Sequence, residues 1–220
     1  MFFNEKMKKG IFITFEGIDG SGKSTLSRLV FDQLLSLNFT GVHTFEPTDS
    51  SLGNSLRDII LYSKENLSPL QQALLFTADR ISHFNWIHKN LLDKQFVICD
   101  RFIHSTLAYQ GVDEKTCQSI NILHDLCLVD YHPDIVFLLD IDPLFSLTRM
   151  QENRLDKLQK KEKDNFEKVE FLKEVRSRYL SIAHSNCDTF VILDGSKPLD
   201  LLTNQVLERV RGRFVCSRRS

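Results

Sequence analysis

The run Gly17-Ile18-Asp19-Gly20-Ser21-Gly22-Lys23-Ser24-Thr25 fits the spacing G-x-x-x-x-G-K-[ST] over its first eight residues. That pattern suits a phosphate group. Gly17, Gly20 and Gly22 let the backbone curl until successive N–H groups point at one anion. The N-terminus of a following helix adds partial positive charge. Lys23 has the length to reach outer phosphates, and the Ser24 hydroxyl can ligate a magnesium ion. A second chemical pair, Asp100-Arg101, follows the apolar run Phe96-Val97-Ile98-Cys99. A charged pair at the end of a buried run needs partners. An arginine there can grip a phosphate as a planar fork, and a carboxylate can help hold a metal ion or position an attacking oxygen.

These residues must be held by a scaffold. The apolar runs Ile11–Glu16, Val42–Phe45, Phe96–Asp100, Ile135–Asp140 and Phe190–Asp194 read as strands buried on both faces, since none alternates. Helical spacing occurs over Ser24–Leu37, Gly53–Tyr62, Pro69–Leu92, Cys117–Val129, Pro143–Gln151, Phe166–His184 and Pro198–Arg209. Strands alternating with helices predict an α/β fold with a five-stranded parallel sheet flanked by helices, a three-layer sandwich. Ligands then bind at the carboxyl ends of the strands. The glycine-rich loop, Glu46-Pro47 and Asp100-Arg101 all follow strand ends, so three polar clusters converge on one rim.

Composition limits the alternatives. The 220 residues suit one domain, 1–220, with a lid. A net charge of −1 gives no general pull toward nucleic acid or anionic membrane. No apolar run approaches the roughly 20 residues that span a bilayer. The five cysteines are scattered, odd in number and without a C-x-x-C pair, which argues against a zinc site or disulfide framework and suits the cytosol. Cys99, in a strand, reads as a small buried hydrophobe. Residues 1–9 lack a signal-peptide core, and Met7 is an alternative start. Residues 1–9 and the arginine-rich 210–220 are expected to be disordered, the latter as a frayed, solvated end. The segment 149–168 is dense in both charge signs. It reads as a short helical lid or as a plain solvated helix.

The ordered motifs together resemble the thymidylate kinase family from about Gly10 to Arg209. The resemblance rests on Phe15-Glu16-Gly17 through Thr25, on Leu74-Leu75-Phe76-Thr77-Ala78-Asp79-Arg80-Ile81-Ser82-His83, and on Asp100-Arg101-Phe102 with Ser105 and Ala108-Tyr109-Gln110-Gly111. It implies a P-loop kinase moving the γ-phosphoryl of ATP to dTMP with Mg²⁺, as a cytoplasmic homodimer packed through helices such as Pro69–Leu92 and Cys117–Val129. It places ATP on Gly17 to Thr25 and Arg149, and metal on Ser24 and Asp100. Asp19, Glu46, Arg57, Phe76, Arg80, Arg101, Ser105, Tyr109 and Gln110 are the expected dTMP contacts. In that reading Asp19 accepts from the 3′-hydroxyl, Phe76 stacks on thymine, and Arg80 donates to its O4. Ser105 meets the base edge, and Tyr109 crowds the 2′ position against ribose. Phe76 and Arg80 also admit a plainer reading, as core and surface charge.

The sequence departs from the family's usual pattern after the second strand and in the lid, where Arg154-Leu155 and Asp156-Lys157 stand for the usual arginine–glycine and aspartate–arginine pairs. After the second strand it reads Phe45-Glu46-Pro47-Thr48-Asp49-Ser50, where Arg-Glu-Pro-Gly-Gly-Thr is usual. Gly20 stands where one branch carries a catalytic arginine, so the chain resembles the bacterial-type branch that supplies lid cations. Arg149, Arg154 and Lys157 are the candidates, with Arg154 foremost. Lysine lacks the planar fork. Lys23, Asp100, Arg101 and Arg154 are thus the expected catalytic groups. Rival readings are another nucleotide kinase, a nucleotide-switched binding protein and a nucleic-acid ATPase. Against them stand the Ala-Tyr-Gln-Gly run, the absence of an Asn-Lys-x-Asp match at Asp140-Ile141-Asp142-Pro143, and the neutral charge.

Overall fold

A computed structural model describes residues 10–62, 66–128, 132–152 and 162–217. Five parallel strands form one sheet in the order β2-β3-β1-β4-β5. They are β1 (Ile11–Glu16), β2 (Gly41–Phe45), β3 (Phe96–Asp100), β4 (Ile135–Asp140) and β5 (Phe190–Asp194). The helices among the described residues are α1 (Lys23–Ser36), α2 (Ser51–Tyr62), α3 (Pro69–Asp93), α4 (Ile103–Gln110), α5 (Glu114–Cys127), α6 (Pro143–Glu152), α7 (Glu162–Ser185) and α8 (Leu199–Ser217).

The strand pleat divides the core. Ile11, Ile13 and Phe15 face α1 and α8, packing with Leu26, Val30, Val206 and Val210. Phe12, Val97 and Cys99 face α3 through Phe84, Ile87 and Leu91. Val136 and Leu138 face α7 through Leu172, Val175 and Tyr179. Helices therefore cover both faces, as the apolar runs require. The central strands β1, β3 and β4 are buried throughout apart from a half-exposed Asp140. The edge strands β2 and β5 are only partly buried, which corrects the expectation of full burial for every strand.

Local chemistry sets the helix ends. Ser68 caps α3 in a capping box with Gln71, and Pro69 opens its first turn. Asp113 caps α5 by accepting from the Thr116 N–H at 2.7 Å, so that helix starts at Glu114, earlier than its apolar spacing indicates. Helix α4 is not foreseen by the sequence reading. At the chain end, α8 continues to Ser217, and Val210 and Phe214 lie in the core. The Phe214 ring stacks on Phe39 at 4.6 Å. The expected fraying from 210 is thus overturned through Ser217. The call of disorder for 1–9 lies outside the described residues.

Candidate active site

The loop between β1 and α1 takes positive φ at Gly17 (145°), Gly20 (77°) and Gly22 (94°). This backbone turns the strand end directly into the first turn of α1, where Ser24 and Thr25 are exposed. Lys23 is nearly buried; its Nζ donates to the Ile18 carbonyl at 3.4 Å and lies 3.9 Å from Asp19 Oδ1. Burial, then the charge of Arg101, pulls the Lys23 ammonium down to about 8, against the attraction of Asp100, Asp19 and Glu16. The Ser146 hydroxyl of α6 donates to the Asp19 carbonyl and clasps the loop from outside. A Cβ at Gly20 would stand 2.6 Å from the Ser146 carbonyl oxygen and 2.8 Å from Met150 Cγ. In this fold α6 occupies the space that an arginine at position 20 would need.

Beyond β3 the backbone of Arg101 enters the left-handed region at φ 70°, and its N–H donates to the Phe15 carbonyl. The guanidinium turns toward the loop. Nη2 contacts Asp19 Oδ1 at 2.5 Å, and Nη1 donates to the Ser105 hydroxyl at 3.0 Å and the Gly17 carbonyl at 3.3 Å. The ring of Tyr109 lies 5.1 Å beneath it. Burial pushes the Asp19 carboxyl up, but Arg101 and then Lys23 outweigh it and leave it below its ordinary value. Burial raises the Tyr109 phenol to about 12, so it stays neutral and accepts the Asp19 N–H at 3.0 Å. The carboxylate paired with Arg101 is that of Asp19, not that of the adjacent Asp100. Asp100 Oδ1 is instead buried without a hydrogen-bond partner among the described residues.

A cavity of about 530 Å³ opens beside this cluster, and every expected dTMP contact lines it. Asp19 and Arg101 form its phosphate-loop end. Phe76, Gln72 and Arg80 come from α3, Ser105, Tyr109 and Gln110 from α4, and Arg57 from α2. Phe76 is half-buried with a face on the cavity rather than sealed in the core. Arg57 is oriented by the Pro47 carbonyl at 2.6 Å and Asn54 Oδ1 at 2.5 Å. Gln110 donates to Gln72 Oε1 at 3.1 Å, linking α4 to α3.

Two side chains sit deeper in the protein's own network than the sequence reading held. Arg80 is 1% exposed, which removes the surface-charge reading. Its Nε donates to Glu46 Oε2 at 2.8 Å, Nη2 to the Phe102 carbonyl at 3.2 Å, and Nη1 lies 3.0 Å from His124 Nε2. Burial and then Arg80 pull the His124 imidazole down to about 3, so it is neutral and accepts that proton. Glu46 is gripped by Arg80 and by His83 Nδ1 at 2.9 Å, just before a cis bond to Pro47. The Ser105 hydroxyl donates to Glu16 Oε2 at 2.6 Å and lies 2.8 Å from the Tyr179 hydroxyl.

The structure also explains how the altered loop after β2 keeps its shape. Asp79 accepts from the Thr48 N–H at 2.8 Å, the Thr48 hydroxyl at 2.6 Å and the Ser50 hydroxyl at 3.2 Å. Side chains of Thr48 and Ser50 thus do the anchoring, from a carboxylate of α3. Arg149 of α6 donates to the Gly195 carbonyl at 3.3 Å and lies over the Phe145 ring. Arg154 and Lys157 lie outside the described residues.

Glu16, Tyr179, Asp79, His83 and His124 are site residues that the sequence reading missed. Glu16 carried a signal: it is the one charged residue in the otherwise apolar Ile11–Glu16 run. Asp79 and His83 lie in the quoted Leu74–His83 run without a role read for them, and Tyr179 and His124 give no signal, because their partners are distant in sequence.

A curled, glycine-built anion loop at a strand end, a buried lysine, and an arginine over a neighbouring acceptor cavity define a P-loop phosphotransferase of α/β fold. The thymidylate kinase family model matches residues 15–206, and the chain belongs to that family. A probable thymidylate kinase of Methanocaldococcus jannaschii is 41% identical over 194 residues, 87% of this chain and 90% of that protein. One of Methanococcus maripaludis is 37% identical over 206 residues, covering 90% and 94%. The solved thymidylate kinase of Ehrlichia chaffeensis superposes with a TM-score of 0.68 at 33% identity, covering 92% of this chain and 98% of that one.

Proposed function

We propose that the chain moves the γ-phosphoryl of ATP onto dTMP, giving ADP and dTDP. One observation carries the choice of acceptor. The pair of Asp19 from the phosphate loop and Arg101 from just beyond β3 forms one end of the cavity whose other walls are Phe76, Arg80, Tyr109 and Gln110. Donor and acceptor sites therefore share one wall, as direct transfer requires. The acceptor is a phosphate oxygen already anionic near neutral pH, so no strong base is needed. Lys23 and Arg101 neutralise charge on the group in transit. Tyr109, with its ring under Arg101, would fill the space of a ribose 2′-hydroxyl.

Mg²⁺ is part of this reading. Asp100 Oδ1 is buried and unpartnered, and the Ser24 hydroxyl is exposed at the first turn of α1. No group of three or more His, Cys, Asp or Glu among the described residues could hold a metal alone. Asp100 and Ser24 would hold the ion together with substrate phosphates, whose charge it would screen. Arg149, beside the Gly195 carbonyl, is the described lid-side cation toward ATP; Arg154 is the further one. The chain acts as one domain in the cytoplasm and as a homodimer. The dimer reading is supported by exposed Leu70, Leu74 and Ile81 on α3 and Ile122 and Leu126 on α5, two helices packed side by side. No helix among the described residues is long and apolar enough to cross a membrane.

The test is ADP release with Mg-ATP and each of dTMP, dUMP, UMP, AMP, CMP and GMP, for wild type and Arg101→Ala. Selective turnover of dTMP that collapses in the variant is expected. Preference for another acceptor would overturn the roles of Phe76, Arg80 and Tyr109. ATP hydrolysis indifferent to every acceptor would overturn the kinase reading. Sedimentation velocity, with Leu126→Glu expected to dissociate the dimer, tests the assembly.

A further inference from the structure

We propose that Glu16 is the residue that positions Arg101, through Ser105 and the backbone turn after β3. The inference rests on the kinase reading above. Glu16 is fully buried at the end of β1, and its carboxylate collects donors from two elements. Oε1 accepts the Phe102 N–H at 2.9 Å, the first peptide after the left-handed Arg101. Oε2 accepts the Ser105 hydroxyl at 2.6 Å and the Tyr179 hydroxyl at 3.0 Å. Ser105 in turn accepts from Arg101 Nη1, and Tyr179 lies 3.5 Å from the same nitrogen. One carboxylate thus holds the backbone on one side of Arg101 and the shelf under its guanidinium.

The direction of the protons matters more than the number of bonds. A guanidinium only donates. Ser105 can accept from it without conflict because its own proton points at Glu16, which is acceptor-only once ionised, above about 7. Tyr179 aims its proton the same way. The network is polarised from the protein core outward, and Arg101 rests on lone pairs. An amide at position 16 would keep the shape and break the polarity. Its oxygen would still serve Phe102, but its NH₂ would face Ser105 and Tyr179, and their protons would need other acceptors. His104 offers no relief. Its Nδ1 is 4.0 Å from Glu16 Oε1 and unpartnered among the described residues, and burial holds the ring neutral. Desolvation also raises the Glu16 carboxyl itself to about 7, with Ser105, Arg101, Phe102 and Tyr179 opposing. Full burial of such a group within the chain needs a reason, and the orientation of Arg101 supplies one.

The experiment is steady-state kinetics of Glu16→Gln, with melting temperature followed in parallel and the double variant Glu16→Gln/Arg101→Ala as the deciding sample. Glu16→Gln is expected to lower kcat/KM for dTMP by about tenfold or more while leaving KM for ATP within about twofold. Against an Arg101→Ala background the same change should add little, since its route to the substrate is gone. Equal losses in both backgrounds, or parallel rises in both KM values, would make Glu16 a structural residue and overturn the proposal. Should Glu16→Gln not fold, Tyr179→Phe removes one donor to the same oxygen. It is expected to act in the same direction, more weakly, and again only when Arg101 is present; an effect equal in both backgrounds overturns the proposal. A wild-type chain that turns over nucleotides but not dTMP would refute the acceptor assignment instead, and the Glu16–Arg101 coupling is then read with the acceptor it does use.

Discussion

Gly20 and Gly22 lie two residues apart in the same loop, both at positive φ, yet the structure assigns very different costs to a methyl group at each. At Gly22, φ is 94° and a Cβ meets nothing within 4 Å. Gly22→Ala therefore bears only the left-handed backbone, about 1–2 kcal/mol. At Gly20, φ is 77°, and the Cβ would stand 2.6 Å from the Ser146 carbonyl oxygen, 2.8 Å from Ser146 Oγ and 2.8 Å from Met150 Cγ. The backbone cost is the same. To it are added about 1–3 kcal/mol for overpacking and about 0.5–1.5 kcal/mol for the Ser146–Asp19 hydrogen bond that must give way.

Gly20→Ala should thus lose about 3–6 kcal/mol, against about 1–2 for Gly22→Ala. For a chain of this size each kcal/mol moves the melting temperature by about 2–4 °C. The expected drops are about 6–24 °C for Gly20→Ala and about 2–8 °C for Gly22→Ala. Differential scanning calorimetry on both variants at matched concentration measures this directly. Adding Ser146→Ala to Gly20→Ala should recover a little, because Oγ is removed but the carbonyl oxygen is not. Equal melting shifts for the two glycines would refute the reasoning. They would mean that α6 yields freely and that the absence of an arginine at position 20 has another cause.

Other consequences are open to measurement. Arg101→Ala should lower kcat/KM for dTMP by about 10²–10³, and Arg101→Lys should recover little of it, because lysine cannot contact Asp19 and Ser105 as a fork. The pH profile of kcat/KM for ATP should fall above about 8, where the free Lys23 ammonium loses its proton; a flat profile to pH 10 would contradict the burial of Lys23. Glu16 carries the opposite lesson for stability. Its folded value of about 7 lies above the ordinary 4.5, so the folded state binds more protons between those limits. Its contribution is present below about 4.5 and is lost as pH rises through about 7. The melting temperature of Glu16→Gln should therefore lack a decline that wild type shows across that window. Asp79→Ala should loosen the 48–50 loop and raise KM for dTMP more than KM for ATP, measured in the same assay.

Where strands and the phosphate loop are concerned, the chain is legible because the causes are local. Continuous apolar runs end in Glu16, Asp100, Asp140 and Asp194, and the strands end there too. Helix α4 is illegible for a physical reason. Its eight residues must pack Ile103 and Ala108 inward while presenting Ser105, Tyr109 and Gln110 to the cavity, so no single apolar stripe appears. The arginine-rich end misleads in the same way: Val210 and Phe214 are four apart and enter the core, while the arginines between and around them set the composition.

The site follows the same division, and Arg80 shows where it leads. Its spacing from Phe76 correctly puts both residues on the cavity, because that is a property of one helix. What the guanidinium binds depends on Glu46, Phe102 and His124, which no periodicity connects to it. A guanidinium has five N–H donors. Nε donates to Glu46, Nη2 donates to Phe102 and lies 2.7 Å from the same Glu46 oxygen, and Nη1 gives one proton to His124. One Nη1 proton is left, among the described residues, for a base carbonyl. The expected contact with thymine O4 is therefore a single hydrogen bond from an immobilised donor rather than a flexible clamp. Arg80→Lys cannot reproduce it, because an ammonium drawn to Glu46 has no rigid fork to leave one proton pointing into the cavity. The variant should lose discrimination between dTMP and dCMP by about tenfold or more, since dCMP presents an amino group where dTMP presents that carbonyl. Retention of full discrimination in Arg80→Lys would show that the base edge is read elsewhere.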